Sequence, residues 1–334
     1  MATAVVPGLV VHGAGHYVLD EKRTARNLLI MEGVGFGLMA VGGLTVFFTG
    51  ASRYFIAPSV TAVMTGGGLL ATSYLGDIYG TASRDGGAVT ARLRPPVAWE
   101  TELGYRRVHD PQFAYRDFLY ERVSNQIGAF RFSPSGWFST RGDTARYRLE
   151  GQYRVLGPTA GQTPSDASFL DLTLGFVHQR HRPERFTKGS AELSLDGRYD
   201  LGRIGRTLRG SFVDLGAGYA LGRLDYDPIG TSVPGDFEHL LLGHFGFGII
   251  LRGKAAPGSE VQLYYEHRHD DYAAGLQSYG IASGNLGHFG VSGRWFVSDR
   301  FGFSGDAQIG SAYVGGVSLL FRPQGVPARQ EQAR

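Results

Sequence analysis

Between residues 258 and 321 the apolar and polar positions of the chain alternate with period two, the pattern of a β-strand whose successive side chains point to opposite faces. In 261–266 the odd positions carry Val261, Leu263 and Tyr265, and in 289–297 they carry Phe289, Val291, Trp295 and Val297 against Ser292 and Arg294. The stretch 145–155 is the clearest: Ala145, Tyr147, Leu149, Tyr153 and Val155 share one face, and Arg146, Arg148, Glu150, Gln152 and Arg154 share the other. Residues 191–201 repeat it, with Glu192, Asp196, Arg198 and Asp200 on the polar side. Turn signals predict strands near 97–108, 112–122, 127–139, 144–157, 166–181, 188–203, 207–224, 236–254, 259–272, 284–297, 300–310 and 312–322. Twelve is the expected number; the second and third segments are poorly patterned, which leaves ten as the alternative. Several segments exceed ten residues, about what a tilted membrane-crossing strand needs, whereas soluble strands average about five or six.

The first quarter of the chain follows a different rule. Residues 27–49 and 55–75 are two apolar runs, each long enough at about 20 residues to cross a bilayer as a helix. They predict a helical hairpin turning at 50–54. Lys22, Arg23 and Arg26 precede it and Arg84, Arg92 and Arg94 follow it, against Arg53 alone in the turn. In an inner membrane this distribution would hold both ends in the cytoplasm, and a barrel built from the rest of the chain would be stranded there. Glycines at 33, 35, 37, 42, 43 and 66–68 dilute both runs, and Glu32 lies inside the first. The expectation is therefore an exported hairpin that packs inside the barrel lumen or against its outer wall, its small residues allowing close backbone approach. No charged segment precedes the short apolar run at 5–11, so a secretory signal is not evident in the first residues. The expected organisation is a lead-in and hairpin over 1–90, a barrel over 91–322 and a polar tail over 323–334, with 76–96 as a polar linker.

Composition sharpens this picture. Fifty-one Gly, seventeen Tyr and twenty-one Phe in 334 residues suit strands, tight turns and aromatic girdles. With no Cys, disulfides, thiolate catalysis and thiolate-bound metals are excluded. Thirty-three basic and thirty acidic residues are interspersed, for a formal charge of +3, and no block of one sign marks a nucleic-acid surface.

The run 311–321 places Tyr313, Val317, Leu319 and Phe321 on one face and ends in an aromatic. It resembles the C-terminal targeting signal of bacterial outer-membrane β-barrel proteins, with the departure that a polar tail follows the aromatic. The resemblance implies an all-β fold, an antiparallel transmembrane barrel behind the helical hairpin, and a place in the bacterial outer membrane. It also implies contact with membrane lipid and lipopolysaccharide, and the barrel-assembly machinery as partner during insertion. Pro7 to His16, followed by 20–26, is similar to a Pro-Gly and Gly-His opening that precedes helical hairpins in bacterial envelope proteins. A soluble sandwich or an inner-membrane protein with similar strands is the alternative class.

On the barrel reading the polar faces line the lumen. The candidate lumen residues are Arg146, Arg148, Glu150, Arg154, Glu192, Asp196, Arg198, Glu266 and Arg294. Their mixed signs fit either a filled, mutually paired interior or a constricted pore. No cofactor is expected. The other cluster is His267, His269, Asp270 and Asp271. Its parity places both imidazoles outward, at headgroup level. Around His267 it resembles the outer-membrane lipid A 3-O-deacylases, whose outward His-x-Ser pair implies His267 as a base. Here His269 stands in the place of the nucleophilic Ser, which leaves Ser278 and Ser283 in the following loop as alternatives. His267, His269 and Asp271 share a parity that could chelate a metal, and His12 and His16, at i and i+4, form a second candidate pair. His244 and His288 take the inward parity.

Overall fold

The computed structural model describes residues 2–52, 54–83, 93, 96–111, 116–183, 185–226, 233–251, 258–269, 272 and 286–323. Four helices come first: α1 (Ala2–Val5), α2 (Ala14–Val18), α3 (Lys22–Thr49) and α4 (Ile56–Ala82). Twelve strands follow: β1 (Trp99–His109), β2 (Asp117–Ile127), β3 (Phe130–Ser139), β4 (Thr144–Leu156), β5 (Phe169–His181), β6 (Phe186–Asp200), β7 (Ser211–Tyr226), β8 (Val233–Ile250), β9 (Glu260–Glu266), β10 (His288–Phe296), β11 (Phe301–Ile309) and β12 (Tyr313–Phe321). Each strand pairs antiparallel with its sequence neighbours, and β1 pairs with β12 from Thr101↔Phe321 to His109↔Tyr313, closing the sheet into a barrel. Closure removes both sheet edges, so every strand has a hydrogen-bonding neighbour on each side. The fold is thus an antiparallel twelve-stranded barrel behind an N-terminal helical segment. The ten-strand alternative falls away, because β2 and β3 are full strands despite their weak alternation; β2 lies five residues later than the pattern placed it.

The alternation sets the two faces. On β4, Tyr147, Leu149, Tyr153 and Val155 are exposed on the outer wall, while Arg146 and Arg154 are buried inside. From Tyr147 to Tyr153 the apolar band runs for about 20 Å at about 3.4 Å per residue. Rings pair along the outer wall at one end of the barrel, Phe130 on Tyr153 and Phe301 on Phe321, with centroids 4.9 and 5.2 Å apart.

The hairpin lies against the outer wall and not in the lumen. Gly68 of α4 sits over Phe245 and Leu215, Met64 reaches Gly243, and Tyr79 packs edge-on to Phe247 and donates to the Arg209 carbonyl at 2.9 Å. All four barrel side-chain positions are on the outward parity of β7 and β8. Between α3 and α4 the backbones approach closely at small residues: a Cβ on Gly35 would lie 2.8 Å from the Gly66 carbonyl. That contact admits only glycine.

Both helices outrun their apolar runs, α3 beginning at Lys22 and α4 continuing to Ala82 through part of the expected linker. The reason is a polar clasp. His16 and Asp77 are fully buried, with Nδ1 2.6 Å from the Asp77 carboxylate and Nε2 3.0 Å from the Thr207 hydroxyl. A carboxylate only accepts, so His16 carries its proton on Nδ1. Asp77 also accepts from the backbone N–H of Gly15 and His16 at 3.1 and 3.2 Å. One turn earlier Ser73 donates to the Leu70 carbonyl and accepts from His12 Nδ1 at 2.6 Å, and Glu32 accepts the His12 backbone N–H at 3.0 Å. The i, i+4 spacing of His12 and His16 thus matches that of Ser73 and Asp77 on α4. Thr207 belongs to the short 3-10 turn Arg206–Leu208 between β6 and β7, so the clasp ties the lead-in, the hairpin and the barrel together.

Candidate functional site

Even positions of β4 and β6 point inward, and the structure distributes the charges they carry along three adjoining cavities. Arg146, Arg148, Glu150, Glu266 and Arg294 line the largest, of about 470 Å³. Arg154, Arg198 and Arg294 line a second of about 320 Å³, and Glu192 and Asp196, with Arg148, Glu150 and Glu266, a third of about 240 Å³. Arg122, Glu260 and Arg294 border both the first and the second, and so form the neck between them.

Ion pairs between neighbouring strands and across the lumen hold these side chains in place. Arg198 of β6 grips Asp214 of β7 with two bonds, at 2.8 and 2.9 Å, and reaches Glu260 of β9 at 2.8 Å, with its guanidinium 3.6 Å from the Phe212 ring centre. Arg148 and Arg268 converge on Glu192 at 3.0 and 2.8 Å. Arg154 pairs with Asp171 at 2.5 and 3.0 Å, Arg322 and Arg294 share Glu100, and Arg106 meets Asp306. Planar bidentate guanidinium–carboxylate pairs fix geometry better than single contacts. The two bidentate pairs join neighbouring strands along the wall, whereas Arg198–Glu260, Arg148–Glu192 and Arg268–Glu192 join elements that are not neighbours and act as struts within the lumen.

The signs do not balance along the axis. The 470 Å³ cavity carries six arginines, at 106, 122, 146, 148, 268 and 294, against five carboxylates, at 102, 150, 260, 266 and 306. The 320 Å³ cavity is lined by six, at 122, 131, 154, 198, 294 and 322, against Glu100, Asp166 and Glu260; Asp171 and Asp214, just behind the lining, match Arg154 and Arg198, while Arg131 is bonded to the amides of Gln126 and Gln152. Asp166 lies in the β4–β5 loop at that mouth. Burial would raise its carboxyl, but hydrogen bonds from the Ser168 backbone at 2.8 Å and Arg203 at 2.7 Å hold it below the usual carboxylate range.

At the opposite mouth the lumen turns apolar. Val108, Phe118 and Val314 point inward and are buried, with Trp137 against them. Tyr272, from the loop after β9, drops into this cluster with its ring 4.9 Å from Phe118 and 5.3 Å from Trp137. The side chain is buried there, with His181 6.2 Å from its ring centre. Sequence reasoning passed over Tyr272 because a single aromatic in a loop has no period. It also passed over Arg122 and Arg131, which sit on the two weakly patterned strands, and Arg322, which was assigned to the end of the barrel and not to its interior.

The histidine cluster has a different setting. His267 Nδ1 lies 3.0 Å from the Tyr265 hydroxyl, and the His267 and His269 rings meet edge-on at 4.8 Å. Burial, then the neighbouring His269, push the His267 imidazole down to about 4. The partner found is a phenol, and Ser278, Ser283 and Asp271 lie outside the described residues. Among the described residues no group of three metal-ligating side chains is assembled; His12 and His16 are directed at Ser73 and Asp77. His244 and His288 are both inside the barrel, 3.6 Å from Asp196 and Glu266 respectively.

No protein-family model and no curated protein sequence matches the chain. Solved structures are similar to it at low identity. The KdgM porin in complex with disordered oligogalacturonate is 10% identical with a TM-score of 0.40, over 67% of this chain and 99% of that one. The translocator domain of autotransporter NalP from Neisseria meningitidis is 11% identical with a TM-score of 0.40, over 76% and 98%. Outer membrane phospholipase A from Escherichia coli is 11% identical with a TM-score of 0.35, over 70% and 96%. A porin, a translocator and a phospholipase share no one activity, and the likeness is one of fold alone.

Proposed function

We propose that the chain is a bacterial outer-membrane barrel forming a narrow pore that favours small anions. A closed barrel with an apolar outer band and a charged interior is stable where lipid surrounds it and water fills it. Membrane lipid and lipopolysaccharide are then its surroundings, and the barrel-assembly machinery its partner during insertion. The observation that carries the preference is Arg131, which lines the 320 Å³ cavity bonded to the amides of Gln126 and Gln152, with Arg122 at the neck 3.9 Å from Glu150; Arg154 and Arg198 are matched by Asp171 and Asp214. Fixed positive charge in a constriction of low dielectric raises the local concentration of anions and excludes cations.

The test is the reversal potential of purified protein in a planar bilayer under a salt gradient. Chloride preference is expected, and Arg122→Glu with Arg131→Glu should move it toward cation preference. Cation preference in the wild type would overturn the anion preference, and no conductance in any variant would replace the pore with a structural envelope role.

A further inference from the structure

We propose that the α3–α4 hairpin is embedded in the same bilayer as the barrel, with the outer face of α3 presented directly to acyl chains; this rests on the outer-membrane reading of the barrel. Three observations converge. First, α3 is 28 residues long with a mean hydropathy of 1.7 in its most apolar window, yet only 17% of that window is buried. A core helix of that composition would be covered. Leu29, Ile30, Val34, Val41, Leu44 and Phe48 instead stand in the open. At about 1.5 Å per residue α3 is long enough for a hydrocarbon core of about 30 Å.

Second, the polar side chains of α3 from residue 32 onward are bonded within the protein. The Thr45 and Thr49 hydroxyls donate to the carbonyls of Val41 and Thr45 at 2.8 and 2.6 Å, within their own helix. Glu32, the carboxylate inside the apolar run, is buried and accepts the His12 N–H. Its carboxylate is therefore turned to the lead-in and away from the exposed face of α3. The basic residues Lys22, Arg23 and Arg26 cluster at the end that Asn27 ties to the Ile204 carbonyl at 3.1 Å, beside a barrel turn and at headgroup height.

Third, the hairpin is continuous with the lipid-facing band. Where α4 stands off from the barrel it leaves an apolar trough of about 410 Å³, lined by Thr61, Met64, Leu195, Val213, Leu215 and Ala217 among others. Its lining is mostly apolar, with Thr61 and Thr65 of α4 and Arg198, Tyr199 and His244 of the barrel among the polar residues that border it. An acyl chain fits its chemistry.

The chain has no Cys, so single-cysteine variants report one site each. Asp20→Cys, Val34→Cys, Val41→Cys and Leu174→Cys, the last on the outer wall of β5, would each be placed in the full-length protein in lipid vesicles and treated with a water-soluble, charged maleimide. Labelling is expected at 20 and lost at 34, 41 and 174 until the vesicles are dissolved in hot SDS. Protection at 174 with labelling at 34 and 41 would overturn the embedded hairpin while leaving the membrane barrel intact. Labelling at 174 would remove the membrane reading on which the proposal stands. Protection at 34 and 41 with quantitative disulfide dimers under oxidation would show a second copy covering α3, and would overturn the lipid contact.

Discussion

Tyr147 and Arg148 are adjacent in β4 and meet opposite surroundings, which makes them a direct test of facing. Tyr147 is exposed on the apolar band, so Tyr147→Arg should cost about 2–4 kcal/mol if it meets the bilayer midplane, less toward the interface. Arg148→Gln should be milder, because Glu192 keeps its pair with Arg268 at 2.8 Å. Unfolding of the two variants by urea from lipid vesicles gives the comparison; equal losses would remove the assignment of faces. His267 carries a second test at this scale. Its imidazole is pushed down to about 4 from the ordinary 6.5 by burial and by His269. The packed loop therefore favours the neutral ring: the contribution of this packing is present above about pH 6.5 and lost as pH falls toward 4. A histidine titration by NMR should show a midpoint near 4 for His267, and a midpoint near 6.5 would mean that the ring is solvated. Since the hydroxyl found beside it is the Tyr265 phenol and not an aliphatic nucleophile, His267→Ala should leave the acylation pattern of lipid A in an expressing host unchanged.

Elements were legible in proportion to their period. β4 and β6 were placed within two or three residues, whereas β2 was placed five residues early because Asp117, Glu121 and Asn125 put polar residues on its outward parity and Phe118 and Tyr120 put aromatics on its inward one. The two helices were visible as apolar runs, but their ends and docking surface were not. Both are fixed by Ser73, Asp77 and Thr207, polar residues that a hydropathy pattern counts as helix or linker boundaries. The function of Asp77 is clear only when the fold brings His16 from 61 positions away. Asp77→Ala strips an acceptor from two backbone N–H groups and from the His16 ring. A buried donor left unsatisfied costs about 1–3 kcal/mol, so the clasp should open as a unit. Expected outcomes are tryptic cleavage near Lys22, Arg23 and Arg26 in the folded protein, with the barrel still migrating as a compact species in unheated SDS. Asp77→Asn, which keeps one accepting oxygen, should be intermediate. A hairpin as protease-resistant in Asp77→Ala as in the wild type would show that packing at Gly35, Gly42 and Gly66 holds it without the clasp.

For the whole molecule, barrel closure turns a linear alternation into an inside and an outside, and the number of strands sets how much room the inside has. Twelve strands leave more space than side chains alone would fill, and the arginine–carboxylate struts divide it into cavities of 470, 320 and 240 Å³. Which residues face inward was legible from parity; which of them meet across the lumen was not, because Arg198 and Glu260 are 62 positions apart. The same holds for Tyr272, which packs on Phe118, Trp137, Val108 and Val314, residues from four strands. If the barrel conducts, as proposed, an ion would meet this apolar cluster before it reached the arginines of the neck. Tyr272→Ala removes that ring and leaves the arginines untouched. On the pore reading, single-channel conductance in planar bilayers should rise, with reversal potential unchanged, if Tyr272 limits access and the neck sets charge preference. Tyr272→Phe, which keeps the ring, should conduct as the wild type does. A conductance equal in the alanine variant and the wild type would place the limiting constriction at the Arg122, Glu260 and Arg294 neck, and a shifted reversal potential would show that access and selectivity are not separate in this barrel.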